Sequence, residues 1–248
     1  MFSAAVQSGL VSLFSSTGSN QLQLFSTHCD ESLPSDAYIG LLNDRSSEPQ
    51  PSGTVSLISP HSEQSGFLLD QTVLHIQSPV PPKTYIQCPA QSGVELGLKH
   101  PWIHLQVRNL GREWSFEVGI ADRVGRKGII RFSTFQKQPR LKVPAKSDDL
   151  PLLHLPLSFP SDSTQLTAWS TINLHLPTFL PHFINTNLAE HEESIDDLSH
   201  AQVSIPSGQY SHISHVRIYS TCRIRRIWLS DGGPTQKLPW EFELYARE

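Results

Sequence analysis

Twelve histidines, three cysteines and several adjacent carboxylates are the residues of this 248-residue chain that could hold a metal or move protons. A metal needs ligands at a fixed spacing, as in HExxH or Cys-x-x-Cys, so that two side chains can reach one ion. Neither pattern occurs. His75, His104 and His175 fall on the polar phase of their segments, His28-Cys29-Asp30 and His182 fall in loops, and His212 and His215 would face together only on a helix. Gln7-Ser8-Gly9-Leu10 and Pro206-Ser207-Gly208 lack the GxSxG elbow that presents a serine nucleophile. Asp148-Asp149 and Asp196-Asp197 are loop neighbours, whereas glycosidic cleavage needs two carboxylates facing across a cleft. No GxxxxGKS/T or GxGxxG run is present to cradle phosphates. The expectation is a non-enzymatic protein with no cofactor, no metal and no small-molecule substrate.

What remains is cationic. Arg123, Arg126, Lys127, Arg131, Lys137, Arg140, Lys142 and Lys146 follow one another without an Asp or Glu, as do Arg217, Arg223, Arg225 and Arg226. These segments hold 12 of the 19 basic residues in a chain whose net charge is −4, so the remainder is acidic and one face is expected to meet an anionic partner. Residues 221–231 read as a strand carrying a row of arginines on its open face. Phe132, Phe135, Tyr219 and Trp228 lie near the cations, an interleaving that single-stranded nucleic acid can use. Phe132 and Trp228 fit a core better.

The elements that must position these residues are strands. Thirty-eight per cent apolar residues, 19 Pro, 14 Gly and a single Met favour short strands joined by turns. Trp114, Phe116, Val118 and Ile120 alternate with polar neighbours, as do Ile103, Leu105 and Val107, with Leu110-Gly111-Arg112 as the tight connection between the two strands. Leu74 with Ile76, and Ile172 with Leu174 and Leu176, show the same period. Val216, Ile218, Cys222 and Ile224 share one phase and Arg217, Arg223 and Arg225 the other. The Arg225-Arg226 pair then shifts the phase onto Ile227 and Leu229, as a β-bulge does. The expected fold is all-β, an antiparallel two-layer sandwich spanning 1–248 as a single domain, with short helices. Surface insertions are expected at 34–66, 144–165 and 185–208, with an edge strand at 152–157. The sparse cysteines point to a reducing compartment. The opening residues lack a secretory pattern and no run approaches the about 18 apolar residues of a membrane span. A soluble intracellular protein is expected.

Several blocks are similar to one family. Met1-Phe2, Gln7-Ser8-Gly9 and Leu22-Gln23-Leu24 resemble its opening, and Thr84-Tyr85-Ile86-Gln87-Cys88-Pro89-Ala90 with Leu96-Gly97-Leu98-Lys99 its central block. Asn109-Leu110, Phe116-Glu117-Val118, then Arg131, Ser133, Gln136 and Arg140 continue the pattern. Cys222-Arg223-Ile224-Arg225-Arg226, Ser230-Asp231, Leu238-Pro239, Glu241-Phe242 and Leu244-Tyr245 resemble its closing block. These blocks, spread over 1–25, 71–143, 166–185 and 209–245, resemble the CFA20-domain family of cilia- and flagella-associated proteins. The resemblance implies a jelly-roll-like β-sandwich without enzymatic activity, placed at the cilium axoneme or basal body within the cytoskeleton. It also implies tubulin of doublet microtubules and other axonemal proteins as partners at the inner junction. A nuclear, RNA-associated adaptor role using the same basic face is the alternative, and a scaffold acting through the acidic insertions a third. The chain departs from the family in its longer connections, its acidic total charge and its own run of residues between Asp122 and Arg131.

Overall fold

The computed structural model describes residues 1–49, 71–91, 93–144, 149–159, 169–189 and 204–242. Among these, thirteen strands follow in chain order: β1 (Leu10–Ser15), β2 (Ser26–His28), β3 (Tyr38–Asn43), β4 (Thr72–Gln77), β5 (Tyr85–Cys88), β6 (Trp102–Asn109), β7 (Ser115–Asp122), β8 (Lys127–Ser133), β9 (Arg140–Lys142), β10 (Leu152–Pro156), β11 (Trp169–His175), β12 (Tyr210–Tyr219) and β13 (Cys222–Ser230). Among the described residues, helix is confined to short 3-10 stretches, the longest at Leu176–Ile184. Sheet A has the order β11-β6-β13-β4-β3, with β1 also on β13, and sheet B runs β2-β5-β12-β7-β8-β10-β9. The strands pair antiparallel apart from β8 with β10. The architecture is an all-β sandwich.

Alternation builds its core. Leu74, Ile76, Ile103, Leu105, Val107, Phe116, Val118, Ile120, Val216, Ile218, Cys222, Ile224, Ile227 and Leu229 belong to one buried cluster drawn from both sheets. Each such side chain contributes on the order of 1.5–3 kcal/mol by leaving water. Phe116 stacks on Phe132 at 5.0 Å and on Trp114 at 5.8 Å, tying β7 to β8 and to the turn before β7. Ile172 and Leu174 are half-buried against the same cluster.

Four features differ from the sequence expectation. Leu110-Gly111-Arg112 joins β6 of sheet A to β7 of sheet B, so it is an arch over the sandwich edge rather than a hairpin. The strand read at 221–231 is β13, but Arg217, assigned the same phase as Arg223 and Arg225, lies on a separate strand, β12, in sheet B, with the chain broken at Ser220-Thr221 before β13 in sheet A. An apolar phase that continues across a sheet-to-sheet crossing looks unbroken in sequence because both sheets face the same core. The stretch 34–66 contains β3, paired along its length with β4. The strand at Leu152–Pro156 is present but lies between β8 and β9 rather than at the edge. Its prolines, 151 and 156, stand just before it and at its last position, where fewest ladder donors are lost. The acidic run 190–197 and most of the expected insertions lie outside the described residues.

The expected bulge is present. The β13–β6 register shifts between Ile224 and Arg226. At the same point the other edge of β13 changes partner, from β4 at Cys222–Ile224 to β1 at Arg226–Ser230. All three cysteines are unpaired, and burial pushes the Cys88 thiol up to about 12. No helix among the described residues is long and apolar enough to cross a membrane.

Candidate docking surface

On the outer face of sheet B, one polar row crosses four strands. Gln87 of β5 stands opposite Arg217 of β12, Arg217 opposite Glu117 of β7, and Glu117 opposite Arg131 of β8. Arg131 Nε donates to Glu117 Oε1 at 2.6 Å, and Arg217 Nη1 lies 3.7 Å from Glu117 Oε2. Arg217 Nε donates to Gln87 Oε1 at 2.8 Å. Tyr219 Oη donates to Glu117 Oε2 at 3.0 Å and accepts from Arg217 Nη1 at 3.1 Å. The Arg217 guanidinium sits 4.7 Å over the Tyr85 ring, which stacks on His28 at 5.0 Å. Burial and the neighbouring Glu117 raise the Tyr219 pKa, keeping its hydroxyl a donor. Two guanidiniums thus share one buried carboxylate, and the row carries one net positive charge while Arg217 and Arg131 remain 30% and 33% exposed.

A Cβ on Gly119 would come within 2.2 Å of the His215 ring and 2.3 Å of Ser214 Oγ, so this strand position needs a glycine. His215, laid across it, has its pKa lowered by burial.

The other sheet-B cations divide. Arg126 pairs with Asp122 at 2.8 Å, and Lys127 pairs with Glu95, which also binds His212 at 2.8 Å. Burial raises the Asp122 pKa, but backbone donors from Arg126 and Gly208 and the Arg126 side chain outweigh it and hold the carboxyl below its usual range. Arg123 and Lys137 are exposed and make no ion pair among the described residues. Arg140 and Lys142 are exposed on β9, and Lys146 lies outside the described residues.

Arg223, Arg225 and Arg226 do not join this surface. They lie on sheet A and are 7%, 2% and 9% exposed, so the expected open-face row is a covered one. Arg223 and Arg108 both donate to Asp44 Oδ1 at 2.9 Å, and Trp169 Nε1 donates to Asp44 Oδ2 at 2.9 Å. Arg225 donates to Gln106 Oε1 at 2.7 Å, to Gln71 Oε1 at 3.2 Å and to the Glu241 carbonyl at 2.9 Å. Arg226 lies 4.7 Å over the Phe242 ring. The loop after β3 and the turn at Trp240–Phe242 close over the row. His104 stacks between Trp102 and Trp228, with Nδ1 2.6 Å from Asn173 Oδ1 and Nε2 2.7 Å from Ser230 Oγ; burial lowers its pKa, as it does that of His75.

Sequence reading missed Glu117, Asp44, Gln106, Tyr85 and Gln87 as the groups that organise the arginines. Glu117 was legible only as a polar phase position. Tyr38-Ile39-Gly40-Leu41-Leu42 followed by Asn43-Asp44 carries a strand-and-turn signal that would have placed Asp44. Among the described residues, no three of His, Cys, Asp or Glu come together as a metal set. An open cavity of about 700 Å³ at one end of the sandwich, near Asp36, Ser78, Arg112, Glu113 and Thr221, is lined by neither histidine nor cysteine.

Residues 64–246 match the family described as the CFA20 domain. The chain belongs to the CFA20 domain family. Curated relatives extend that likeness along nearly its full length. Cilia- and flagella-associated protein 20 of Chlamydomonas reinhardtii is 26% identical over 247 residues, covering 99% of this chain and 97% of the relative. The protein of that name from Caenorhabditis elegans is 26% identical, covering 99% of this chain and 91% of its own. That of Paramecium tetraurelia is 24% identical, covering 99% and 96%. Both faces described above, apart from Asp44, draw their arginines and carboxylates from within the matched CFA20 region.

Proposed function

We propose that this chain is a non-enzymatic structural protein of cilia and flagella that docks on tubulin of doublet microtubules through the outer face of sheet B. The observation that carries the reading is the Gln87–Arg217–Glu117–Arg131 row, a rigid face on which two half-exposed guanidiniums answer to one carboxylate. Arg123 and Lys137, exposed and without an ion pair among the described residues, add to the positive character. The names of the relatives support the ciliary setting. An acidic protein surface complements such a face: charge sets orientation and encounter rate, and sheet rigidity keeps the register. Each charge-assisted hydrogen bond to a partner carboxylate contributes on the order of 1.5–3 kcal/mol. Arginine and tyrosine are also the residues that most often anchor protein interfaces.

Co-sedimentation with taxol-stabilised microtubules, with and without excess RNA, tests the reading. Saturable pelleting that RNA does not displace, weakened about tenfold or more by Arg123→Glu with Lys137→Glu and by Arg217→Glu, is the expected result. Binding indifferent to both variants removes the sheet-B face from the interface. Displacement by RNA transfers the face to a nucleic-acid partner.

A further inference from the structure

The outer face of sheet A holds a groove that the chain fills with its own residues. Gln106 of β6 and Arg225, Arg226 and Trp228 of β13 form its floor, and Phe242 is seated on it while Trp240 beside it stays 64% exposed. The grip is of a kind used on peptides. Arg225 Nη2 donates to the Glu241 carbonyl at 2.9 Å, and Gln106 Nε2 donates to the Phe242 carbonyl. Two successive main-chain acceptors are therefore read. The Phe242 ring enters between the Arg226 guanidinium, 4.7 Å away, and the Trp228 ring, edge-on at 5.2 Å and 80°, and is left 8% exposed. Arg225 is itself fixed by Gln71 and Gln106, so the site is supported from beneath.

This occupancy is incomplete. Trp228 Nε1, Arg226 Nε and the Glu241 Oε2 oxygen are all buried without a hydrogen-bond partner. Burial lowers the Arg226 pKa and the Glu241 carboxylate is near enough to oppose that shift, yet no hydrogen bond joins it to Arg226 Nε or to Trp228 Nε1. Buried polar groups left unpaired cost free energy, and the turn that places Glu241 is only three residues long. A segment free to choose its own backbone path could turn that electrostatic contact into a hydrogen bond from Arg226 Nε while keeping the two carbonyl contacts and the ring.

We propose that this groove is a peptide-recognition site, held in cis by Trp240–Phe242, that takes in trans a partner-protein segment carrying an acid followed by an aromatic residue. It lies on the sheet opposite the face assigned to tubulin and does not depend on that assignment. A fluorescent synthetic peptide of residues 236–242, titrated into the full chain by anisotropy, provides the test. Phe242→Ala empties the ring site, so that variant should bind the peptide at least tenfold more tightly than the wild type, and a peptide with alanine at the Phe242 position should bind neither. A folded Phe242→Ala chain that ignores the peptide overturns the proposal. If that variant does not fold, hydrogen exchange on the wild type decides. The Phe242 amide, bonded to the Pro239 carbonyl at 3.0 Å, should exchange faster with saturating peptide, and unchanged exchange is the overturning result. Concentration-dependent dimers by light scattering, lost in Phe242→Ala, would overturn the assigned occupant in favour of a second copy of this chain.

Discussion

Both outer faces of the sandwich place two arginines around one carboxylate, yet the two pairs end in different environments. On sheet B the carboxylate is Glu117, a residue of the sheet, and nothing has to be laid over the face to deliver it. On sheet A it is Asp44, carried by the loop after β3, and the loop that delivers it also covers the arginines. Arg131 and Arg217 keep about a third of their side-chain surface, at 33% and 30%, while Arg223 keeps 9%. Arg217 and Arg223 stand six positions apart in sequence and face opposite sides of the molecule, because the chain crosses between sheets at Ser220-Thr221. An arginine's availability to a partner is thus decided by where its counter-charge comes from.

Charge reversal should separate the faces most sharply. Arg225→Glu places a carboxylate among carbonyl acceptors at a site 2% exposed, and loss of the cooperative thermal transition is expected. Arg217→Glu should leave a folded protein. A cooperative melt of Arg225→Glu near the wild-type temperature would mean that the sheet-A cover yields easily and would erase the contrast.

Removing each shared carboxylate grades it further. Asp44→Ala strands Arg223 and Arg108 under their cover and should cost about 3–5 kcal/mol in urea unfolding. Glu117→Ala leaves two half-solvated guanidiniums and should cost about 1–3 kcal/mol. Equal losses would show that cover contributes nothing to the difference.

Salt should act on one face only. Screening weakens exposed charges and spares buried ones, so microtubule pelleting through Arg123, Lys137 and Arg217 should decline between low and physiological salt while the unfolding midpoint hardly moves. A midpoint that falls in parallel with binding would place the salt-sensitive charges in the fold.

The smallest effect is in pH. Burial lowers the pKa of His75 and His104 on sheet A from the ordinary 6.5. A depressed value means that the unfolded chain binds the proton first, so the stability is fully present above 6.5 and is lost as pH falls below it. The urea midpoint should decline from pH 7 to pH 5, and His104→Gln should flatten that slope. An unchanged slope would assign the loss to other groups.

Much of this was legible beforehand. The phases of β4, β6, β7 and β13 follow from period-two patterning, and the bulge at Arg225-Arg226 follows from the shift in that pattern. The CFA20 resemblance rested on short blocks, and most of them fall within the matched region. What was not legible is which sheet each strand joins. The arch at Leu110-Gly111-Arg112 resembles a hairpin in sequence, and the break at Ser220-Thr221 leaves the apolar phase undisturbed. Covering was equally hidden, because Asp44 and Glu241 reach the arginines from 179 and 16 residues away along the chain.

The sequence by itself determined the strands, their inward faces and the choice of arginine for the outward ones, because local alternation fixes which side of a pleat meets the core. Only the tertiary structure decided which arginines face a partner and which face the chain itself. That outcome depends on sheet membership and on where distant carboxylates and carbonyls settle, and long-range pairing of this kind leaves no periodic trace in the order of residues.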